Sequence, residues 1–297
     1  MNTQSAAAPS RTAGLWFAAM LALAIVTWGS AFPAIRACLR DLQPNHLAVG
    51  RMIVASCVLA LCLPWSPVRW PARRDLAGLF LMGFLGIAVY HTALSYGEVT
   101  VPAGAASFLI AASPVFSLLG SMALLGERPR ARCWLGMGVC FGGVGLIALS
   151  TSGGLRFSGD IGLLILAAAA GGLYSVVQKC FVQRYSAHEL VCYAIWSGTL
   201  CMLIFARGII PALHQASATT LLALVYLGVA PAALAYGIWA WVLRHMTVTR
   251  AVSFQYLIPL VALVIAYLWL DERPAWLALL GGALTIGGVA VVNTARP

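Results

Sequence analysis

The sequence predicts an all-α polytopic membrane protein: ten transmembrane helices, built as two inverted five-helix repeats around a central cavity. Three observations predict it. The 297 residues are 62% hydrophobic and 9% charged, where a soluble domain carries about 25% charged residues. The charges are also spaced. None falls between Arg11 and Arg36, Asp75 and Glu98, Arg132 and Arg156, or Asp160 and Lys179. Finally, the second half of the chain echoes the first at an offset of 145 residues.

A spanning helix needs about 20 mainly apolar residues, and inside hydrocarbon each backbone group must be satisfied within the structure. The uncharged intervals therefore read as helices. Alternation of the kind a β-barrel strand shows is absent.

A polar tail, residues 1–12, precedes the first span at 13–36, which is too long for a signal-peptide core. The second span, 46–66, is interrupted near its end by Pro64. The third, 75–97, holds His91, and the fourth, 101–125, holds Pro114. The fifth is 132–150, completing a first repeat over 13–150. The second repeat, 151–297, holds spans at 160–182, 188–206, 217–243, 250–270 and 275–293. A linker with Pro211 and His214 precedes the eighth span.

The repeat is read from particular residues. Glu127-Arg128-Pro129 aligns with Glu272-Arg273-Pro274, Gly136 with Gly281, Gly142-Gly143-Val144 with Gly287-Gly288-Val289, and Pro114 with Pro259. Five spans per half is odd, so the second half enters the membrane from the opposite face. Inverted repeats of this kind give transporters two related gates around a midplane site. The ERP turns read as helix connections with a Pro opening the next helix. The small-xxx-small faces Gly138–Gly142 and Ala283–Gly287 read as packing seams or a dimer face, leaving monomer and homodimer both open.

The formal charge of +10 suits the positive-inside rule better than nucleic acid. With both termini cytoplasmic, twelve Lys and Arg lie inside and six outside. Arg36, Arg40 and Arg51 cluster on the outer side, against the trend. The eight Cys lie mostly in apolar segments without a CxxC pair, so they read as small core residues. No metal site or cofactor is expected.

The segment GEVTVPAGAASFLIAASPVFSLLGSMALLGERPRARCWLGMGVCFGGVGLIAL resembles the EamA repeat of the drug/metabolite transporter superfamily, as does SFQYLIPLVALVIAYLWLDERPAWLALLGGALTIGGVAVV. TWGSAFPAIR and Arg51 resemble that family's opening helix pair. Within the family the chain is most similar to the bacterial amino-acid exporters of the YddG type, on its aromatic content and on His91 and Lys179. The resemblance implies a ten-helix inner-membrane protein with both termini cytoplasmic. It also implies a cavity lined by helices one, three, four, six, eight and nine. It implies export of amino acids, often aromatic, or of flat cationic drugs.

The candidate site residues follow. His91 is an ionisable group well inside a span, and such groups are usually functional; a packed His bonded to backbone is the plainer alternative. Lys179, late on helix six with Gln178 and Tyr174, would pair with a substrate carboxylate or snorkel to the interface. Trp28, Tyr90 and Trp239 would wall an apolar box, or merely pack. Ser30 and Gln255 would add hydrogen bonds. Pro33, Pro114 and Pro259 are hinge candidates, because Pro frees a carbonyl and kinks its helix.

The acids all fall at predicted helix ends or in linkers, which argues against a carboxylate proton relay. His91 and Lys179 are the cationic groups expected at the cavity, too few for nucleotide sugars. No HExxH, GxSxG or P-loop is present, which argues against an intramembrane enzyme. The expected partners are a small-molecule substrate and the lipid bilayer.

Overall fold

The computed structural model describes residues 11–101, 103–150, 160–261, 264–265 and 275–294. Among these the secondary structure is helical throughout, and nine helices are long and apolar enough to cross a membrane. They are α1 (Arg11–Cys38), α2 (Pro44–Leu61), α3 (Arg73–Thr100), α4 (Ala103–Ile110 continued by Ser113–Leu125), α5 (Ala131–Ser150), α6 (Ile161–Lys179), α7 (Ala187–Phe205), α8 (Ala218–His245) and α10 (Trp276–Thr294). Between α8 and α10 stands α9 (Val248–Val261), apolar but shorter. Residues 262–263 and 266–270 of the predicted ninth span, and Glu272-Arg273-Pro274, lie outside the described residues.

The flanks are apolar. Leu15, Leu124, Leu135, Leu200, Ile204 and Leu222 are all more than 60% exposed. Apolar surface on this scale belongs in lipid rather than water, and the chain is a multi-pass membrane protein. Trp16, Trp65, Trp70 and Trp276 stand exposed near helix ends, where indole rings anchor at the headgroups.

The helix ends are fastened by polar pairs. Asp41, in the α1–α2 turn, accepts from the Ser217 amide (2.9 Å), the Ser217 hydroxyl (2.6 Å) and the Thr220 hydroxyl (2.7 Å) at the start of α8. These bonds hold its carboxyl down at about 2. At the opposite end of the bundle Asp75 accepts from Tyr185 (2.8 Å) and Arg184. There too Ser186 and Glu189 form a capping box that opens α7. Glu127 of the first ERP accepts from the amides of Val248 and Thr249 (2.9 and 3.2 Å). It therefore caps α9, a helix more than a hundred residues away, rather than only its own turn.

Local geometry repeats at the same offset of 145. α3 widens into a π-helical segment over Phe84–Val89, and α8 does so over Gly228–Leu234. α4 breaks at Ala111 and Ala112 just before Pro114, and α9 passes through a 3-10 turn, Phe254–Leu257, just before Pro259. A proline offers no amide to the preceding turn, which accounts for both breaks.

α5 packs along α10 away from the centre. A methyl group on Gly143 would stand 2.5 Å from the Gly281 carbonyl, and one on Gly288 2.6 Å from the Gly136 carbonyl. The seam therefore uses Gly136, Gly143, Gly281 and Gly288. Gly138, Gly142 and Gly287 have open space beside them, so the predicted seam lies on the neighbouring face of each helix. The correction is one of azimuth: both faces carry small residues, and sequence spacing alone does not say which is turned inward.

Candidate functional site

At the centre α1, α3, α4, α6, α8 and α9 enclose a cavity of about 90 Å³, with Arg51 of α2 reaching in from the side. A larger crevice of about 590 Å³ lies on the flank between α1, α2, α7 and α8. Its walls are nearly all apolar, which suits lipid tails.

The sequence candidates divide. Trp28, Tyr90, His91, Tyr174, Trp239, Gln255 and Pro259 line the cavity. Trp28 packs edge-on against Tyr236 (5.9 Å between centroids) and Trp239 (5.4 Å), and Tyr174 stands 5.4 Å from Tyr236. Four aromatic rings thus form one wall. The Trp239 indole donates to Ser175 (3.1 Å), which fixes that ring.

Other candidates lie elsewhere. Gln178 is fully buried beneath the wall and donates to the Tyr174 hydroxyl (2.7 Å), so it orients a lining residue without reaching the cavity. Lys179 is not at the cavity wall: its ammonium donates to the carbonyls of Leu243 and Met246 (2.7 Å to the latter) at the end of α8. A cation there meets the negative end of the helix dipole. Ser30 bonds the Val26 and Thr27 carbonyls and the Tyr226 hydroxyl. Pro33 faces outward from an unbroken α1, whereas Pro114 is buried at the start of the second half of α4.

Arg51 is the cavity group that the sequence reading left among the outer-side loop charges. It is 2% exposed and stands on α2, two turns into the helix. Its signal was present: a charge inside a predicted span and on the wrong side of the positive-inside pattern. Glu98 carried no such signal: it falls just past the predicted third span, yet it is 0% exposed.

The polar bonds form one chain. Arginine has no acceptor, so its Nη2 donates to His91 Nδ1. That leaves the proton of the neutral imidazole on Nε2, which donates to the Tyr236 hydroxyl at 3.1 Å. Tyr236 in turn donates to the Gly86 carbonyl at 3.2 Å. That carbonyl lies in the π-helical segment of α3, where the wider turn loosens the backbone ladder. The Trp28 indole likewise donates to the Pro231 carbonyl (3.1 Å) in the π-helical segment of α8. Gly86 and Pro231 are themselves 145 residues apart.

This arrangement contains no nucleophile–base pair and no cluster of metal-ligating side chains among the described residues. It offers one buried guanidinium, a neutral imidazole and an aromatic wall. The family model for "EamA-like transporter family" matches residues 15–149 and again 158–294.

The chain belongs to the EamA-like transporter family.

Relatives extend along nearly the whole of this EamA chain. A protein of Streptantibioticus cattleyicolor named "Probable terminal-alkyne amino-acid exporter" is 39% identical over 92% of either chain. An "Uncharacterized transporter YdfC" of Bacillus subtilis is 38% identical over 90% of this chain and 87% of its own. A "Probable amino-acid metabolite efflux pump" of Escherichia coli is 26% identical, covering 91% and 92%. A solved crystal structure, 20% identical, superposes with a TM-score of 0.74 over 93% of this chain and 96% of its own, so the fold is shared.

Proposed function

We propose that this EamA protein exports amino acids with aromatic or other apolar side chains across the inner membrane, by alternating access of two inverted halves. The observation that carries the proposal is Arg51. Its guanidinium is buried at the cavity wall, and no acid is hydrogen-bonded to it. A buried, unpaired cation is costly, and a substrate carboxylate would complete it through a two-pronged bond. The wall of Trp28, Tyr174, Tyr236 and Trp239 then suits an apolar side chain. Two relatives named as amino-acid exporters or efflux pumps favour the same substrate class.

Arg51 also bears on the alternatives. A fixed cation repels flat cationic drugs. One guanidinium beside a neutral histidine is too little charge for nucleotide sugars.

The inverted arrangement is supported by reciprocal contacts. Gly143 faces Gly281 while Gly136, the repeat mate of Gly281, faces Gly288, the mate of Gly143. Two further pairs of mates meet directly, His91 with Tyr236 and Cys140 with Thr285. A two-fold axis in the membrane plane accounts for all of these. With Arg51 inside a span, the positive-inside comparison becomes twelve against five, favouring cytoplasmic termini.

The test is uptake of labelled phenylalanine by proteoliposomes holding the purified protein, against empty liposomes. Saturable flux, competed by unlabelled amino acids and needing about 10–100-fold more phenylalanine for half-maximal rate in Arg51→Ala, is expected. Flux that ignores Arg51, or no flux above empty liposomes, overturns the substrate assignment.

A further inference from the structure

The strongest unexplained feature is a cluster of buried polar atoms that no group among the described residues satisfies. Glu98 Oε1 and Oε2, Ser95 Oγ and Thr92 Oγ1 on α3 and Arg51 Nε on α2 are all buried without a hydrogen-bond partner. Buried polar groups are nearly always paired. A carboxyl group inside a membrane span with neither oxygen bonded is the least expected of these, and ionisable groups in such positions are rare and functional. His91, Ser95 and Glu98 fall at positions i, i+4 and i+7, so they share one face of α3. Glu98 therefore stands two helical turns, about 10 Å, beyond the cavity histidine.

The charges around Glu98 come from the helices packed on the last part of α3, Tyr90–Thr100. From α1, Arg36 donates to the Glu98 backbone carbonyl (2.7 Å), not to its carboxyl. From α2, Arg51 is the other cation whose charge reaches it; His46 turns away to the Arg207 carbonyl (3.0 Å). On α3 itself are Tyr90 and His91, with His91 engaged by Arg51 and Tyr236. From α6, Asp160 accepts from Thr100 (2.6 Å) and Tyr174 faces the cavity. The described part of α4 beside it, Ala106–Ile110, brings no titratable group.

We infer that Glu98 is a proton-binding site linked to the substrate site through Arg51. An ionised Glu98 has no hydrogen-bond donor, so its charge rests on the arginines. A ligand carboxylate that takes Arg51 removes the larger of the two supports, and Glu98 then takes a proton from solution. By linkage, a proton on Glu98 strengthens carboxylate binding at Arg51 by the same factor. Substrate and proton would thus travel together, as in an exporter that releases a metabolite down its own gradient. The link to substrate rests on the amino-acid reading above; the proton site itself does not.

The experiment has two arms on the full chain in proteoliposomes. First, without substrate, infrared spectra are recorded across roughly pH 5 to 9, the range buried glutamates reach. A protonated-carboxyl stretch that changes with pH and is missing in Glu98→Gln is expected; spectra identical in the two proteins overturn the proton site. Second, phenylalanine is added in weak buffer with an indicator dye, and its binding is followed by tryptophan fluorescence. At a pH above the midpoint that the infrared arm finds without substrate, uptake approaching one proton per phenylalanine bound is expected in the parent and Glu98→Asp, and none in Glu98→Gln. Binding with no proton uptake, with release, or with uptake retained in Glu98→Gln overturns the linkage. If phenylalanine does not bind the parent protein, the substrate reading fails and the linkage to it falls too, while the infrared arm still decides whether Glu98 binds a proton.

Discussion

The His91 imidazole donates to the Tyr236 hydroxyl at 3.1 Å, and the two residues are 145 positions apart, the same interval that separates the two copies of the sequence repeat. His91 and Tyr236 therefore join the two copies of the repeat at the cavity itself. In the alternating-access reading proposed above, a change at either one bears on both gates.

Replacing His91 by Ala removes the acceptor of Arg51 and the donor to Tyr236. A lost partner for a buried polar group costs about 1–3 kcal/mol. We expect folded protein in the membrane, lowered thermal stability, and phenylalanine flux reduced about tenfold or more. Unchanged flux at all pH values would make His91 a packing residue.

Arg51→Ala should raise the phenylalanine concentration for half-maximal flux by about 10–100-fold, the worth of a charged hydrogen bond of roughly 1.5–3 kcal/mol. Arg51→Lys keeps the charge but not the planar fork, and should recover part of that loss. Phenethylamine, which lacks the carboxylate, should compete poorly with the parent protein and no worse with Arg51→Ala. Competition assays decide this.

Pro114→Ala and Pro259→Ala restore an amide at each helix break. If these breaks are hinges, turnover should change several-fold in either direction while apparent affinity stays within about twofold. Loss of affinity with turnover intact would count against hinges.

Asp41 supplies a stability signal outside the membrane. Its carboxyl is held at about 2 by hydrogen bonds from Ser217 and Thr220, below the ordinary value of about 4. A depressed carboxyl stabilises the fold above its unfolded value, and that contribution fades as pH falls from about 4 toward 2. Asp41→Asn should therefore melt at a lower temperature than the parent at neutral pH, with the gap closing under strong acid. Melting curves in detergent across pH test the sign.

Gly143→Ala places a methyl group against the Gly281 carbonyl. Overpacking of this kind costs about 1–3 kcal/mol. Gly142→Ala, on the open side of the same helix, should be close to neutral in the same melting assay.

The sequence by itself determined the nine spans that appear among the described residues as helices long enough to cross a membrane, and the register of the repeat. These depend on local quantities: the transfer cost of each side chain over about 20 residues, and identities such as Gly136 with Gly281 that survive at fixed offset. It also named most of the aromatic wall, because Trp28, Tyr174 and Trp239 fall inside predicted spans. Only the tertiary structure decided which polar groups meet. Arg51 turns into the cavity, Lys179 turns to the end of α8, and Glu98 is buried with no partner. The reason is geometric. A charge's position along a helix is set by the chain, but the direction it faces is set by how that helix is rotated against its neighbours. Those neighbours stand tens to hundreds of residues away in sequence, as Arg51 and His91 stand 40 apart and His91 and Tyr236 stand 145 apart.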